Sequence, residues 1–297
     1  MPWFGRKKPT GDAPSLAVLA QRTLAERGVE TTVDGDPADP AHARLLGADG
    51  QVYLLANLAV QVRGENDARR ALIVGAHFDR MLQAHSEPPP EDLGADELRD
   101  RIRLRLLAED GADPTDLTYA RPFAPGLVLA LCVDYPTMVS TLSTSALPKL
   151  ALGSDELWAM GRFNTDAEPV DANAEIAPGV HIVEGESLFT ATKAVNLPAL
   201  FGAAPFGTVV AIPHRHLLLA VPLRDADSVQ AVQTLAGLLV RVLGDRDAGL
   251  PGGLLSPDLL FSRHGHVSPV SSYDQATGEL RIEVDERFQE ALEEAVA

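Results

Sequence analysis

Apolar residues recur along the chain with two periods, and the changes of period divide it into elements. Leu16, Leu19, Ala20 and Leu24 repeat at three- and four-residue spacing, which predicts a helix capped by Asp12 or Ser15 and closed by Gly28 at C′. Val29–Val33 reads as a short strand. Ala43–Leu46 and Gln51–Leu55 read as a hairpin through Gly47-Ala48-Asp49-Gly50, where the Asp-Gly step supplies positive φ. The helical period returns from Asn66 to Gln83, with Ala71, Val74, Phe78 and Leu82 on one face. These elements predict a small N-terminal α/β lobe over residues 13–86, after a disordered tail of residues 1–12. Three consecutive prolines then mark residues 87–93 as an extended linker, leaving residues 94–297 as a C-terminal α+β domain.

Within that domain Asp96–Asp100 suggests a helical turn. Arg101-Ile102-Arg103-Leu104-Arg105-Leu106 alternates strictly, the two-residue period of a half-buried strand with three arginines on one face. Leu127–Val133 is a continuous apolar run, expected to be a central strand covered on both sides. Asp155 is placed to cap a helix ending near Asn164. The next twenty residues look loop-rich around one strand at Val180–Val183. Thr208–Ile212 and Leu217–Val221 look like adjacent strands joined by Pro213-His214-Arg215-His216. Val229, Val232, Leu235, Leu239 and Val242 form the clearest helical stripe, capped by Asp225, Asp227 or Ser228 and stopped by Gly244. Leu259–Arg263, Val267–Tyr273 and Glu279–Val284 read as a meander before an acidic C-terminal helix. Hairpins outnumber crossover helices in this order, so the expected fold is α+β, a largely antiparallel mixed sheet with packed helices.

Charge narrows the function classes. With 25 Lys and Arg against 42 Asp and Glu, the net charge of −17 argues against a protein that must neutralise nucleic-acid phosphates or grip anionic lipid. No apolar run reaches spanning length, and Met1-Pro2-Trp3-Phe4-Gly5-Arg6-Lys7-Lys8 lacks an apolar segment, so a cytoplasmic protein without a membrane span is expected. The single cysteine, Cys132, lies in an apolar run and reads as an interior hydrophobe. The standard phosphate-loop, zincin, nucleophile-elbow, kinase and calcium-loop patterns are missing, and no cofactor is expected.

Two local patterns remain. His214-Arg215-His216 and His264-Gly265-His266 use four of the eight histidines. Residues two apart on a strand project to the same side, so each pair can be read as two imidazoles for one metal, completed by a carboxylate; turn polarity explains the same residues. The row Arg101, Arg103 and Arg105 can be read as a fork for phosphate or carboxylate, or as a solvated strand face balanced by nearby acids.

The region from about Arg101 to Val284 resembles the YtpQ-like family of uncharacterised bacterial proteins. The resemblance rests on a strand ending in Val133-Asp134, a helix ending in Phe163-Asn164, the segment Leu188-Phe189-Thr190-Ala191-Thr192-Lys193, and Val209-Val210-Ala211-Ile212-Pro213-His214-Arg215-His216-Leu217-Leu218-Leu219. It implies an intracellular mixed α/β protein and no particular activity. The expected function is therefore a non-enzymatic binding or regulatory protein with a possible protein partner. The alternative is a metal-dependent hydrolase built on His214, His216, His264 and His266.

Overall fold

A computed structural model describes residues 14–39, 42–48, 50–84, 87–111, 116–245 and 250–297. The expected tail lies outside the described residues. The chain forms two compact units that divide between Glu87 and Pro88.

In the first unit, α1 (Leu16–Ala25), β1 (Thr31–Asp34), β2 (Arg44–Gly47), β3 (Val52–Leu54), α2 (Ala56–Gln61) and α3 (Asp67–Ala84) follow in order. Ser15 caps α1 by accepting from the Val18 amide. The helix runs through Glu26 as its C-cap, so Gly28, at φ +81°, lies one position beyond C′. The strands make an antiparallel sheet of order β1-β2-β3. Leu24, Leu45, Leu58, Val74 and Phe78 fill the core between sheet and helices. Ala71 is exposed, so the apolar face of α3 is narrower than its spacing suggests.

The second unit begins with the triproline segment, which is packed rather than a free linker. Leu93 is buried beside Leu98 and Trp158, and the Tyr135 hydroxyl donates to the Pro88 carbonyl at 2.8 Å. Then come α4 (Ala95–Arg101), β4 (Ile102–Ala108), β5 (Arg121–Ala124), β6 (Leu127–Asp134), β7 (Val139–Thr141) and α5 (Ser154–Ala167). After these, β8 (Ala172–Ala177), β9 (Val180–Glu184), a 3-10 segment (Ala191–Asn196), α6 (Leu197–Phe201), β10 (Thr208–His214), β11 (Leu217–Pro222) and α7 (Asp227–Gly244) follow. The chain closes with β12 (Leu259–Arg263), β13 (His266–Pro269), β14 (Ser271–Asp274), β15 (Glu279–Ile282) and α8 (Glu286–Val296).

The main sheet is antiparallel, in the order β13-β12-β10-β11-β9-β8. Its two central strands, β10 and β11, are buried along nearly their whole length because both faces are covered. On one face Val209, Val221 and Phe261 pack against Leu235 and Leu239 of α7 and Phe288 and Ala291 of α8. On the other, Val210, Ile212, Leu218 and Leu260 pack against Ala191, Ala194 and Leu197 and against Leu106, Ala124 and Leu127 of the smaller sheet. That sheet has the order β4-β6-β5, with β7 also on β6. The fold is α+β. Gly207, at φ +99°, lets the start of β10 approach β12: a Cβ there would come 2.6 Å from Phe261 Cε2 and 2.8 Å from the Ser262 carbonyl.

Several expected boundaries shift for identifiable reasons. Arg101 ends α4 instead of starting β4, because Glu97 in the first turn accepts from the Gly94 amide and extends the helical turn. Gly153, not Asp155, is the N-cap of α5, and Ala226 that of α7, where the Ser228 hydroxyl instead accepts from the Arg224 and Asp225 amides. The loop-rich stretch contains β8, an exposed edge strand that lacks an apolar alternation. The run Val267–Tyr273 is broken at Pro269-Val270 and serves two sheets, β13 on the main sheet and β14 on β15. Pro269 has no amide to continue a ladder, and the buried Val270 bridges to both the Leu259 carbonyl and the Glu283 amide.

The outer edge of β4 is closed by side chains, not by another strand. The Leu104 amide donates to the Thr165 hydroxyl at 2.8 Å and the Leu106 amide to the Thr192 hydroxyl at 3.0 Å, both buried. Replacing Thr192 by Val keeps the shape and strands the Leu106 amide, so the substitution is expected to cost about 1–3 kcal/mol, read as a lower midpoint in urea denaturation.

Candidate functional site

The β10–β11 turn carries His214, Arg215 and His216. Three neighbouring segments position them. Pro213 and Ile212 are held by the Leu255 and Ser256 amides, which donate to their carbonyls at 2.9 and 3.0 Å. The Ala191 amide donates to the Arg215 carbonyl at 3.0 Å, and the Gly185 amide to the His216 carbonyl at 3.2 Å. Gly252, at φ +81°, lies under the Arg215 guanidinium so closely that a Cβ would stand 2.7 Å from it.

The histidines of this turn are committed to the backbone. His214 Nδ1 accepts from the His216 amide at 3.3 Å, while His216 Nδ1 lies 3.0 Å from the Gly185 carbonyl and its Nε2 accepts from Arg215 Nε at 3.0 Å. A neutral His216 with its proton on Nδ1 satisfies both of its contacts. The two rings stand 6.3 Å apart between centroids, and three of their four nitrogens are occupied. This is a pair that stabilises a turn, not two imidazoles turned to one ion.

The second histidine pair lies elsewhere. Thr208 pairs with Ser262 and Ala211 with Leu259, so β12 leaves the sheet at the Thr208 end while His214 lies beyond the Leu259 end. Six residues of strand, about 20 Å at 3.3 Å per residue, separate the two ends. His264 and His266 are exposed on the β12–β13 turn. The four-histidine centre of the hydrolase reading is therefore not assembled, and among the described residues no three His, Cys, Asp or Glu side chains gather as a metal site.

The arginine row also separates. Arg101, on α4, lies 3.8 Å from Glu97 and stacks over Tyr135 at 5.6 Å. Arg103, on β4, is paired with Glu168 at 2.8 Å, both nearly buried, and Glu168 accepts in turn from the Ser187 hydroxyl at 3.2 Å. Arg99 is paired with Glu156 and Asp96, each at 2.8 Å. Arg105 differs. It shares the sheet face of Arg103 and Cys132, donates to the Thr141 hydroxyl at 3.2 Å, and has no carboxylate within ion-pair distance among the described residues. Arg215 likewise has none, and burial followed by the repulsion of Arg105 pulls its pKa below the usual guanidinium range.

Lys193, almost fully buried, donates to the Thr165 and Asp166 carbonyls at 3.2 and 2.9 Å and caps the C-terminal turn of α5. Burial raises the Asp134 carboxyl above the usual range, with Arg103 opposing that shift. Burial pushes the Cys132 thiol up to about 12, in keeping with an inert interior residue. Sequence reasoning found Arg105 and Arg215 but missed Glu168, Thr141 and Gly252, the residues that pair with Arg103, accept from Arg105 and lie against Arg215. The double glycine Gly252-Gly253 was a local signal of close backbone approach.

Burial, with smaller repulsions from His216 and Arg215, holds the His214 pKa down at about 4 from an ordinary 6.5. Between those values the unfolded chain binds a proton that the folded chain refuses, so stability falls as pH falls through this window. For a half-exposed ring the screened effect is about 1–2 kcal/mol. Urea denaturation at pH 7 and pH 4.5 is expected to show wild type losing that much more stability than His214→Asn, whose amide oxygen can still accept from the His216 amide.

No family model, curated protein or solved structure matches the chain.

Proposed function

We propose that the protein is a non-enzymatic binding or regulatory protein that takes an acidic group of a protein partner between Arg105 and Arg215. The observation that carries this reading is the lack, among the described residues, of a carboxylate within ion-pair distance of these two half-buried, mutually repelling arginines in a chain of net charge −17. Glu156, Glu97 and Glu168 are used on Arg99, Arg101 and Arg103. Bringing two guanidinium groups together while removing them partly from water destabilises the free protein, and an oxyanion accepting from both reverses that cost.

The net charge supports a short-range mode of recognition. At physiological salt the Debye length is about 8 Å, so distant carboxylates oppose an acidic partner only weakly once it has reached the site. The guanidinium forks then decide which acidic group is accepted.

A protein whose free state tolerates repulsion for the sake of a ligand has a distinctive response to mutation. Arg105→Gln and Arg215→Gln are each expected to fold at least as stably as wild type while losing anion affinity by about tenfold or more. Citrate or phosphate, titrated against chloride at matched ionic strength, is expected to raise the melting temperature of wild type and of neither variant. Destabilised variants that retain the full anion response would overturn the proposal.

A further inference from the structure

A cleft lies at the end of β10 away from the β10–β11 turn. It encloses about 420 Å³ between the 3-10 segment and α6 on one side and the β12–β13 turn on the other, a volume within the range of about 300–1,000 Å³ usual for small-molecule sites. Two arginines, Arg162 and Arg263, and His264 are among its lining residues, and no Asp or Glu among the described residues lines it. Arg263 is paired with Glu294, and Asp166 accepts from the Asn196 side chain at 2.6 Å. In a chain with 42 acidic residues, a cleft whose described lining holds two arginines and no carboxylate departs from the average charge of the chain. Leu197, Pro198 and Pro205 supply an apolar wall. The amides of Ala203 and Ala204, also in the lining, have no acceptor among the described residues.

A second observation points at the same place. His264 is the sole non-glycine residue with positive φ among those described, at +54°, and Gly265 follows at +78°. Arg263 pairs with His266, so the two residues form a two-residue hairpin turn with both φ values positive. Asn-Gly is the sequence that such a turn favours, and His is among the residues that also tolerate its first position. Beside this turn the Arg263 Nε is buried and has no hydrogen-bond partner among the described residues.

We infer that this cleft binds a small organic oxyanion, with its phosphate or carboxylate head at Arg162, Arg263 and His264 and its apolar body against Leu197, Pro198 and Pro205. The site is separate from the Arg105–Arg215 pair, which lies at the opposite end of β10. Arg162 is on the rim and donates to the Val195 carbonyl at 3.2 Å, leaving other donors of its fork for a ligand. The protein groups recognise the oxyanion, and both head groups satisfy them; the choice of probe separates the two.

Calorimetric titration of the full chain with inorganic phosphate, phenyl phosphate and benzoate tests the assignment. Phenyl phosphate is expected to bind saturably and about tenfold or more tightly than inorganic phosphate, because its ring covers the apolar wall. Benzoate binding as well as phenyl phosphate would identify the head as a carboxylate. Arg162→Gln and His264→Asn are each expected to weaken the better probe by about tenfold. His264→Asn, which suits the turn, is expected to leave the melting temperature unchanged or higher, and Arg215→Gln to leave phenyl phosphate affinity unaltered. Failure of both aromatic probes to saturate, or affinities indifferent to both cleft variants, would overturn the inference. Loss of binding in Arg215→Gln alone would move the ligand to the other end of the sheet and overturn it equally.

Discussion

The outer edge of β4 sets the arrangement of the second unit. An edge strand carries amides that must find acceptors when they are buried, and among the described residues no strand lies beyond this one. Thr165 of α5 and Thr192 of the 3-10 segment supply the acceptors, so two non-strand elements are fixed against one edge. With the 3-10 segment in place, Lys193 reaches the last carbonyls of α5 and the Ala191 amide reaches the Arg215 carbonyl. The β10–β11 turn is thereby tied to the element that closes the β4 edge. The segment Leu188–Lys193, singled out in the sequence for its resemblance, has a structural explanation in these bonds.

Local pairing, more than the overall balance of charge, determines what the surface can bind. A net charge of −17 suggests a molecule that repels anions. Yet Glu168 and Glu156 are each aimed at one arginine at 2.8 Å, and such short pairing leaves little field for a neighbour. Arg105 lies two residues from Arg103 on the same sheet face, and Glu168 serves Arg103. An arginine row read from sequence alternation alone carries no information on which member a distant glutamate takes. Arg103 and Glu168 are 65 positions apart.

Elements whose residues meet only one demand were legible in the sequence. The stripe of α7, the uninterrupted apolar runs of β6, β10 and β11, and the turn at Asp274–Gly278 each follow from burial or turn chemistry within a short window. Elements that answer to partners far along the chain were not. The exposed strand β8 has no apolar period because only β9 pairs with it, and the run broken at Pro269-Val270 looks continuous until its halves are seen to serve different sheets. The histidine pairs show the same limit. Two-residue spacing places side chains on one side only while the backbone stays extended, and both pairs fall on turns. There the imidazoles of the first are drawn to neighbouring amides and carbonyls.

Over most of this chain local preference and tertiary need agree: the caps of α1 and α8 are Ser15 and Asp285, and glycines occupy nearly every position of positive φ. Consistency of this kind is what specifies a single fold, and departures from it have to be compensated elsewhere. One departure stands out. Burial and the repulsion of Arg105 both act on the Arg215 guanidinium, and neither arginine has a carboxylate within ion-pair distance among the described residues. A repulsion left uncompensated in the free chain is what an oxyanion bound at the proposed site would relieve.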